Sequence, residues 1–227
     1  MIDSLIGKKI SMTQIFTDEG RLVPVTVVYA GPCAVVQVKD AEKHGYQAVQ
    51  LGFEEKRKNV SKPLRGHFEK SGVKPMRVLR EVRVDGKCEL KPGDTVGADI
   101  FEGVRFVHVT GITKGKGFQG TVKRHHKTRG PESHGSMNVR QPGAIGSSAF
   151  PSRVMKGMRM AGHMGNHQVT VRNLEVVESN PARGVIMVKG SVPGPRDALL
   201  RIRVARKHAV KARLVEKKTA AEEVEKE

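Results

Sequence analysis

Between Gly103 and Leu174 stand twelve Lys or Arg, and the only acid in that stretch is Glu132. Bases so dense and so poorly matched by acids suit one chemistry above others, the neutralisation of closely spaced phosphates. Ten of them are the candidate phosphate contacts: Lys114, Lys116, Lys123, Arg124, Lys127, Arg129, Arg140, Arg153, Lys156 and Arg159. Arg105 and Arg172 flank this set. Eleven of the 25 glycines fall between Gly111 and Gly165. Gly115, Gly117, Gly120, Gly143, Gly146, Gly157 and Gly162 are the candidates for letting the backbone approach a phosphate, where free N–H groups can donate to its oxygens. A segment this basic and this rich in glycine cannot build a core of its own. It is expected to be a loop that is either disordered or ordered by a polyanion.

Other chemistries fit these residues less well. Gly115-Lys116-Gly117-Phe118-Gln119-Gly120 matches G-x-G-x-x-G, the dinucleotide-binding turn of a nucleotide-dependent enzyme. That reading needs a helix next and an acid about 20 residues on. The following TVKRHHKTRGPESHG is expected to form no helix, and Arg140 stands where the acid should be. Gly117-Phe118-Gln119-Gly120 also matches a KH-type GXXG, but no flanking helix pair is expected. His163 and His167 are four apart like a zinc pair, yet no Glu follows the first and no third ligand is placed. Met155, Met158, Met160 and Met164 form no helical stripe, because glycines interrupt them, and read as flexible apolar filler. No helix-turn-helix, finger or basic helix is present to enter a DNA groove, so folded RNA suits the dispersed bases better than duplex DNA. No catalytic residue, metal, cofactor or small-molecule substrate is expected.

The whole chain agrees with an RNA partner. Its 227 residues carry 41 Lys and Arg against 23 Asp and Glu, a net +18. Apolar runs such as Val25 to Ala30 are far too short to span a bilayer, and Met1 to Ile10 does not read as a secretory leader. Cys33 and Cys88 lie 55 positions apart and read as reduced thiols with neither metal nor disulfide spacing. No membrane partner is expected.

The elements that must carry the basic segment read as β. Ile10 to Phe16 and Leu22 to Ala30 flank a turn at Asp18-Glu19-Gly20. Cys33 to Lys39, Tyr46 to Phe53, Met76 to Val84, Thr95 to Phe101 and Phe106 to Thr113 continue in alternation, with a short helix or irregular insertion at Lys62 to Lys70. Strands resume at Gln168 to Val177, Val185 to Lys189 and Leu199 to Val204. Many short strands at regular spacing suggest a barrel or a sandwich. The expected organisation is a β domain from 1–113, with a small insertion near 55–75, resumed over 166–204. The basic extension of 114–165 is inserted between its strands, and an exposed charged tail fills 205–227. With about 26 residues out and 26 back, at roughly 3.3 Å each, the extension could reach at most roughly 85 Å.

One pattern resembles a known family. Phe101-x6-His108-x2-Gly111-x-Thr113-x-Gly115-Lys116-Gly117-x2-Gly120-x3-Arg124 is similar to the signature of the large-subunit ribosomal protein L-three family, bacterial type. The resemblance covers about residues 5 to 204 and includes GKKISMTQIF, PVTVV, GHFEKSGV, KGKGFQGTVKR, HGS, PGAIG, KGMRMAGHMGN and VKGSVPG. It implies a closed six-stranded translation-protein-type β-barrel at the surface of the cytoplasmic ribosome. It also implies that the extension threads through 23S-type ribosomal RNA toward the peptidyl-transferase region. Binding near the 3′ end of that RNA, early in large-subunit assembly and beside neighbouring large-subunit ribosomal proteins, follows from the same resemblance. Two departures stand out. His108 replaces the Asp or Asn usual in the signature, with little expected consequence. Ser147-Ser148-Ala149-Phe150 follows PGAIG, so the methylatable glutamine of some relatives is absent.

Overall fold

Alternation of apolar and polar side chains, enriched in Val and Ile, makes this chain mainly β. The computed structural model describes residues 2–17, 19–84 and 88–205. They divide into two compact units, one formed by Met1–Ile112 with the chain from Gln168 onward, the other by Thr113–His167. Of the tail expected over 205–227, all but Ala205 lies outside the described residues.

The first unit contains two sheets. Its strands are β1 (Ser4–Phe16), β2 (Leu22–Tyr29), β3 (Cys33–Lys39), β4 (Ala48–Glu55), β5 (Met76–Arg83), β6 (Thr95–Val96) and β7 (Phe106–Ile112). In chain order β8 (Phe118–Gln119) and β9 (Gly162–His163) belong to the second unit, and β10 (Gln168–Asn180), β11 (Val185–Lys189) and β12 (Leu199–Val204) return to the first. The main sheet is hydrogen-bonded in the order β1-β12-β7-β10-β11-β2, and β2 pairs back onto β1, which closes the ring. All these pairings are antiparallel. Closure leaves this sheet no unpaired edge strand among the described residues.

The other four strands form a separate sheet in the order β5-β4-β3-β6. The sequence reading made no such division, because both sheets show the same period-two alternation. It also expected a full strand from Thr95 to Phe101. Only Thr95 and Val96 pair, and Ala98–Phe101 turns into a 3-10 helix that buries Phe101. The insertion holds α2 (Lys62–Glu69), which follows α1 (Ala41–His44) and buries Phe68. One continuous core joins Leu5, Val28, Val107, Val109, Ile186, Leu200 and Ile202 of the barrel to Val35, Val49, Leu51 and Phe53 of the second sheet. Each such side chain contributes ~1.5–3 kcal/mol by leaving water.

One charge is built into this unit. Lys9 is only 7% exposed, and its Nζ donates to the carbonyls of Val192 and Gly194 at 3.0 and 3.3 Å. The register of β1 on β2 shifts between Lys9 and Ser11, beside this contact. Lys9→Met keeps the apolar stem but strips two carbonyls of a charged donor. It is expected to cost about 2 kcal/mol of stability, read as a lower urea midpoint at unchanged m-value. Lys8→Met, which removes only half-exposed pairs with Glu54 and Asp197, is expected to cost much less. Equal midpoints for the two variants would refute this role for Lys9.

Candidate nucleic-acid interface

Residues Ile112 and Gln168 face each other in the β7–β10 ladder, where a tight hairpin turn could stand. Instead the chain runs out into the Thr113–His167 unit. Thr113 N–H donates to the His167 carbonyl at 3.0 Å, and Asn166 N–H donates back to the Thr113 carbonyl at 3.2 Å. Lys116 N–H then donates to Met164, and Met164 N–H to Gly117, both at 2.9 Å. The two-residue strands β8 and β9 continue this neck, Phe118 opposite His163 and Gln119 opposite Gly162. The two runs lie so close that a Cβ on Gly165 would collide with the carbonyl of Lys114, and Gly165 itself takes a left-handed φ of +77°.

A short helix, α3 (Thr121–His125), follows the neck and ends where His126 turns left-handed at φ 56°. The sequence reading expected no helix here. The five-residue turn forms because Arg124 and His125 on it find partners across the loop. Arg124 Nη1 donates to the Met160 carbonyl at 2.8 Å, and His125 Nε2 lies 2.9 Å from the same oxygen. Gly162 makes room for this contact, since a Cβ there would stand 2.6 Å from Arg124 Nη1. A helix of five residues followed by Arg140 rather than an acid does not make a dinucleotide site.

The unit keeps nearly all of its charge for an outside partner. It holds ten Lys or Arg and one acid, a net +9. Lys114, Lys116, Lys123, Arg140, Arg153, Lys156 and Arg159 are exposed and have no ion-pair partner among the described residues. Lys127 is half-buried, also without one. Arg129 differs, with its Nη1 2.6 Å from Glu132, and Arg124 is committed to Met160. So the ten candidates are not equivalent, and these two serve the local fold as well. Among the candidate glycines, Gly117, Gly143 and Gly157 have positive φ, Gly115 and Gly146 are in ordinary contact, and Gly120 faces open space. The reading missed Gly130, where a Cβ would strike the Asn138 carbonyl, and Gly165. The Gly165-Asn166 dipeptide was the available turn signal for the latter.

No apolar side chain of this unit is buried among the described residues. Phe118, Met137, Phe150 and Met155 are 77, 89, 88 and 58% exposed. Of the methionines read as filler, Met155 and Met158 face outward, whereas Met160 and Met164 are half-buried. No backbone amide from 141 to 157 donates to another backbone group among the described residues. Those amides are expected to exchange in the free protein at nearly the unprotected rate, while Val25–Tyr29 stay protected by ladders on both sides. Slow exchange across 141–157 without RNA would contradict this.

Features that could have argued for other chemistry have ordinary explanations. Cys33 is fully buried, which pushes its thiol pKa up to about 11 and makes it a poor nucleophile. The described residues contain no group of three or more metal-ligating side chains and no helix long and apolar enough to cross a membrane.

Comparisons with known proteins point the same way as the geometry. A family model described as ribosomal protein L3 matches residues 90–184. The large ribosomal subunit protein uL3 of Thermotoga maritima is 52% identical over 202 residues, 89% of this chain and 97% of that protein. The protein of the same description from Heliobacterium modesticaldum is 51% identical over 88% of this chain and 95% of its own length. That of Desulforapulum autotrophicum is 50% identical over 90% of this chain and its own whole length.

Proposed function

We propose that this chain, which belongs to the large ribosomal subunit protein uL3 family, binds 23S-type ribosomal RNA through the Thr113–His167 unit. It is a structural constituent of the large ribosomal subunit in the cytoplasm and not an enzyme. The carrying observation is the net +9 of a unit with no buried apolar side chain among the described residues. Such a segment gains nothing from packing on itself and gains much from a polyanion. In this reading Lys114, Lys116, Lys123, Lys127, Arg140, Arg153, Lys156 and Arg159 meet phosphates, while Arg124 and Arg129 shape the thread and add their charge. The closed sheet is a translation-protein-type barrel that anchors the thread at the subunit surface. From there the thread runs inward toward the peptidyl-transferase region. Binding falls near the 3′ end of the RNA, early in assembly, beside neighbouring large-subunit ribosomal proteins.

Sedimentation tests it. Tagged protein expressed in bacterial cells is expected to travel with large subunits through a sucrose gradient and to stay bound in moderate salt. Protein found only at the top of the gradient would overturn the reading.

A further inference from the structure

The barrel carries a second concentration of cations, separate from the Thr113–His167 unit. On β12, Leu200 and Ile202 are buried, so period-two alternation turns Arg201 and Arg203 outward. On β7, Val107 and Val109 are buried, which turns His108 and Thr110 outward. The register sets Arg201 opposite Thr110 and Arg203 opposite His108. On the other side of β7, Thr110 faces Thr170 of β10, and their hydroxyl oxygens lie 2.8 Å apart. The β7–β10 register shifts between Val171 and Leu174, and Asn173 there takes a left-handed φ of 56°. Its N–H donates to His108 Nδ1 at 3.0 Å. The shift brings Arg172 to the same face, and all seven of these residues line a groove of about 640 Å³.

The electrostatics of this groove are one-sided. No acid lines it. The nearest carboxylate partner, Asp3, holds Arg203 Nε at 3.1 Å and is itself only 13% exposed. Arg201 Nε lies 3.3 Å from Ser4 Oγ, a neutral partner. Partial burial and the neighbouring Arg203 both press the Arg201 pKa below its ordinary value, so an anion placed here would relieve both penalties.

We propose that this groove is a second RNA-backbone site, holding consecutive phosphates of a ribosomal RNA strand between Arg172, Arg201 and Arg203. The paired hydroxyls of Thr110 and Thr170 supply neutral donors and acceptors suited to a ribose 2′-hydroxyl. An acidic protein is the poorer occupant. Protein interfaces draw their energy from buried aromatic or large aliphatic anchors, whereas among the described residues the apolar lining here is only Val204 and Ala205. The inference rests on the ribosomal RNA reading of the previous section and deepens it. The protein would then grip RNA at two places, by an irregular thread and by a rigid strand face.

The test uses the full chain and transcripts covering the 3′ part of a bacterial 23S RNA, with affinity measured across a salt series. Arg172→Gln, Arg201→Gln and Arg203→Gln together are expected to lower the salt slope by about two to three, from ~0.7–0.9 per lost phosphate contact. The matching triple Lys variant is expected to keep the slope, since charge remains. Thr170→Glu, an exposed position where folding is not at stake, is expected to weaken binding about tenfold by setting an acid among the arginines. Failure of the unaltered protein to bind any transcript would overturn the underlying reading. Normal binding by the unaltered protein, with slope and affinity unmoved by the triple Gln and Thr170→Glu variants, would overturn the groove alone. Loss of binding to a neighbouring ribosomal protein, with RNA binding intact, would likewise reject it.

Discussion

Replacing 114–165 with a short Gly-Ser linker is expected to leave the protein folded and to remove most of its affinity for ribosomal RNA. The first half of that expectation follows from where the core lies. Every member of the buried cluster belongs to the Met1–Ile112 and Gln168–Glu227 unit. Ile112 and Gln168 are already paired, so the linker closes a hairpin whose strands are held by their own ladder. Shortening the loop also lowers the entropy cost of closing it. The second half follows from charge. Among the described residues eight candidate cations lack an ion pair or committed partner, and at about 0.5 kcal/mol per exposed ion pair their loss amounts to about 4 kcal/mol, roughly a thousandfold in Kd. Circular dichroism and a thermal melt check the fold, and filter binding to a 23S transcript checks the affinity. A cooperative melt with unchanged RNA affinity would remove the extension from its role. Loss of the β signal would show instead that the extension is part of the fold.

Much of this architecture was legible residue by residue. Val185–Lys189 and Leu199–Val204 fall where alternation put them, and α2 occupies the insertion. Alternation states which face of a strand is buried, but not which strand lies beside it. The barrel is closed by partners such as Leu5 and Ile202, nearly two hundred residues apart. Nothing local distinguishes them from Val35 and Leu51, which pair in the other sheet. The site divides in the same way. Surplus charge is a property of composition, so Arg140, Arg153, Lys156 and Arg159 were legible as exposed cations. The commitment of Arg124 to the Met160 carbonyl was not, since it depends on a neck that brings α3 beside Gly162. His108 looked inconsequential because a strand position says nothing about neighbours. Only the register reveals that it faces Arg203.

The distinction between spent and unspent cations gives the salt dependence its sharpest form. Arg124 and Arg129 are unsuitable probes of RNA contact, because replacing them also disturbs the Met160 and Glu132 contacts that shape the loop. Arg140, Arg153, Lys156 and Arg159 are exposed and unpaired among the described residues, so changing them to Gln alters charge and little else. Each lost phosphate contact lowers the slope of log K against log salt by ~0.7–0.9, hence by about three for the set. Lys58, Lys62, Arg65 and Lys70, equally exposed on and around α2, provide a control of the same total charge. Their replacement lowers the protein's overall positive field and is expected to slow encounter slightly at low salt. It is expected to leave the slope nearly unchanged, because no counterions are released where no phosphate is held. A control set that shifts the slope as far as the loop set would mean that total charge governs binding. The Thr113–His167 unit would then have no special claim on the RNA.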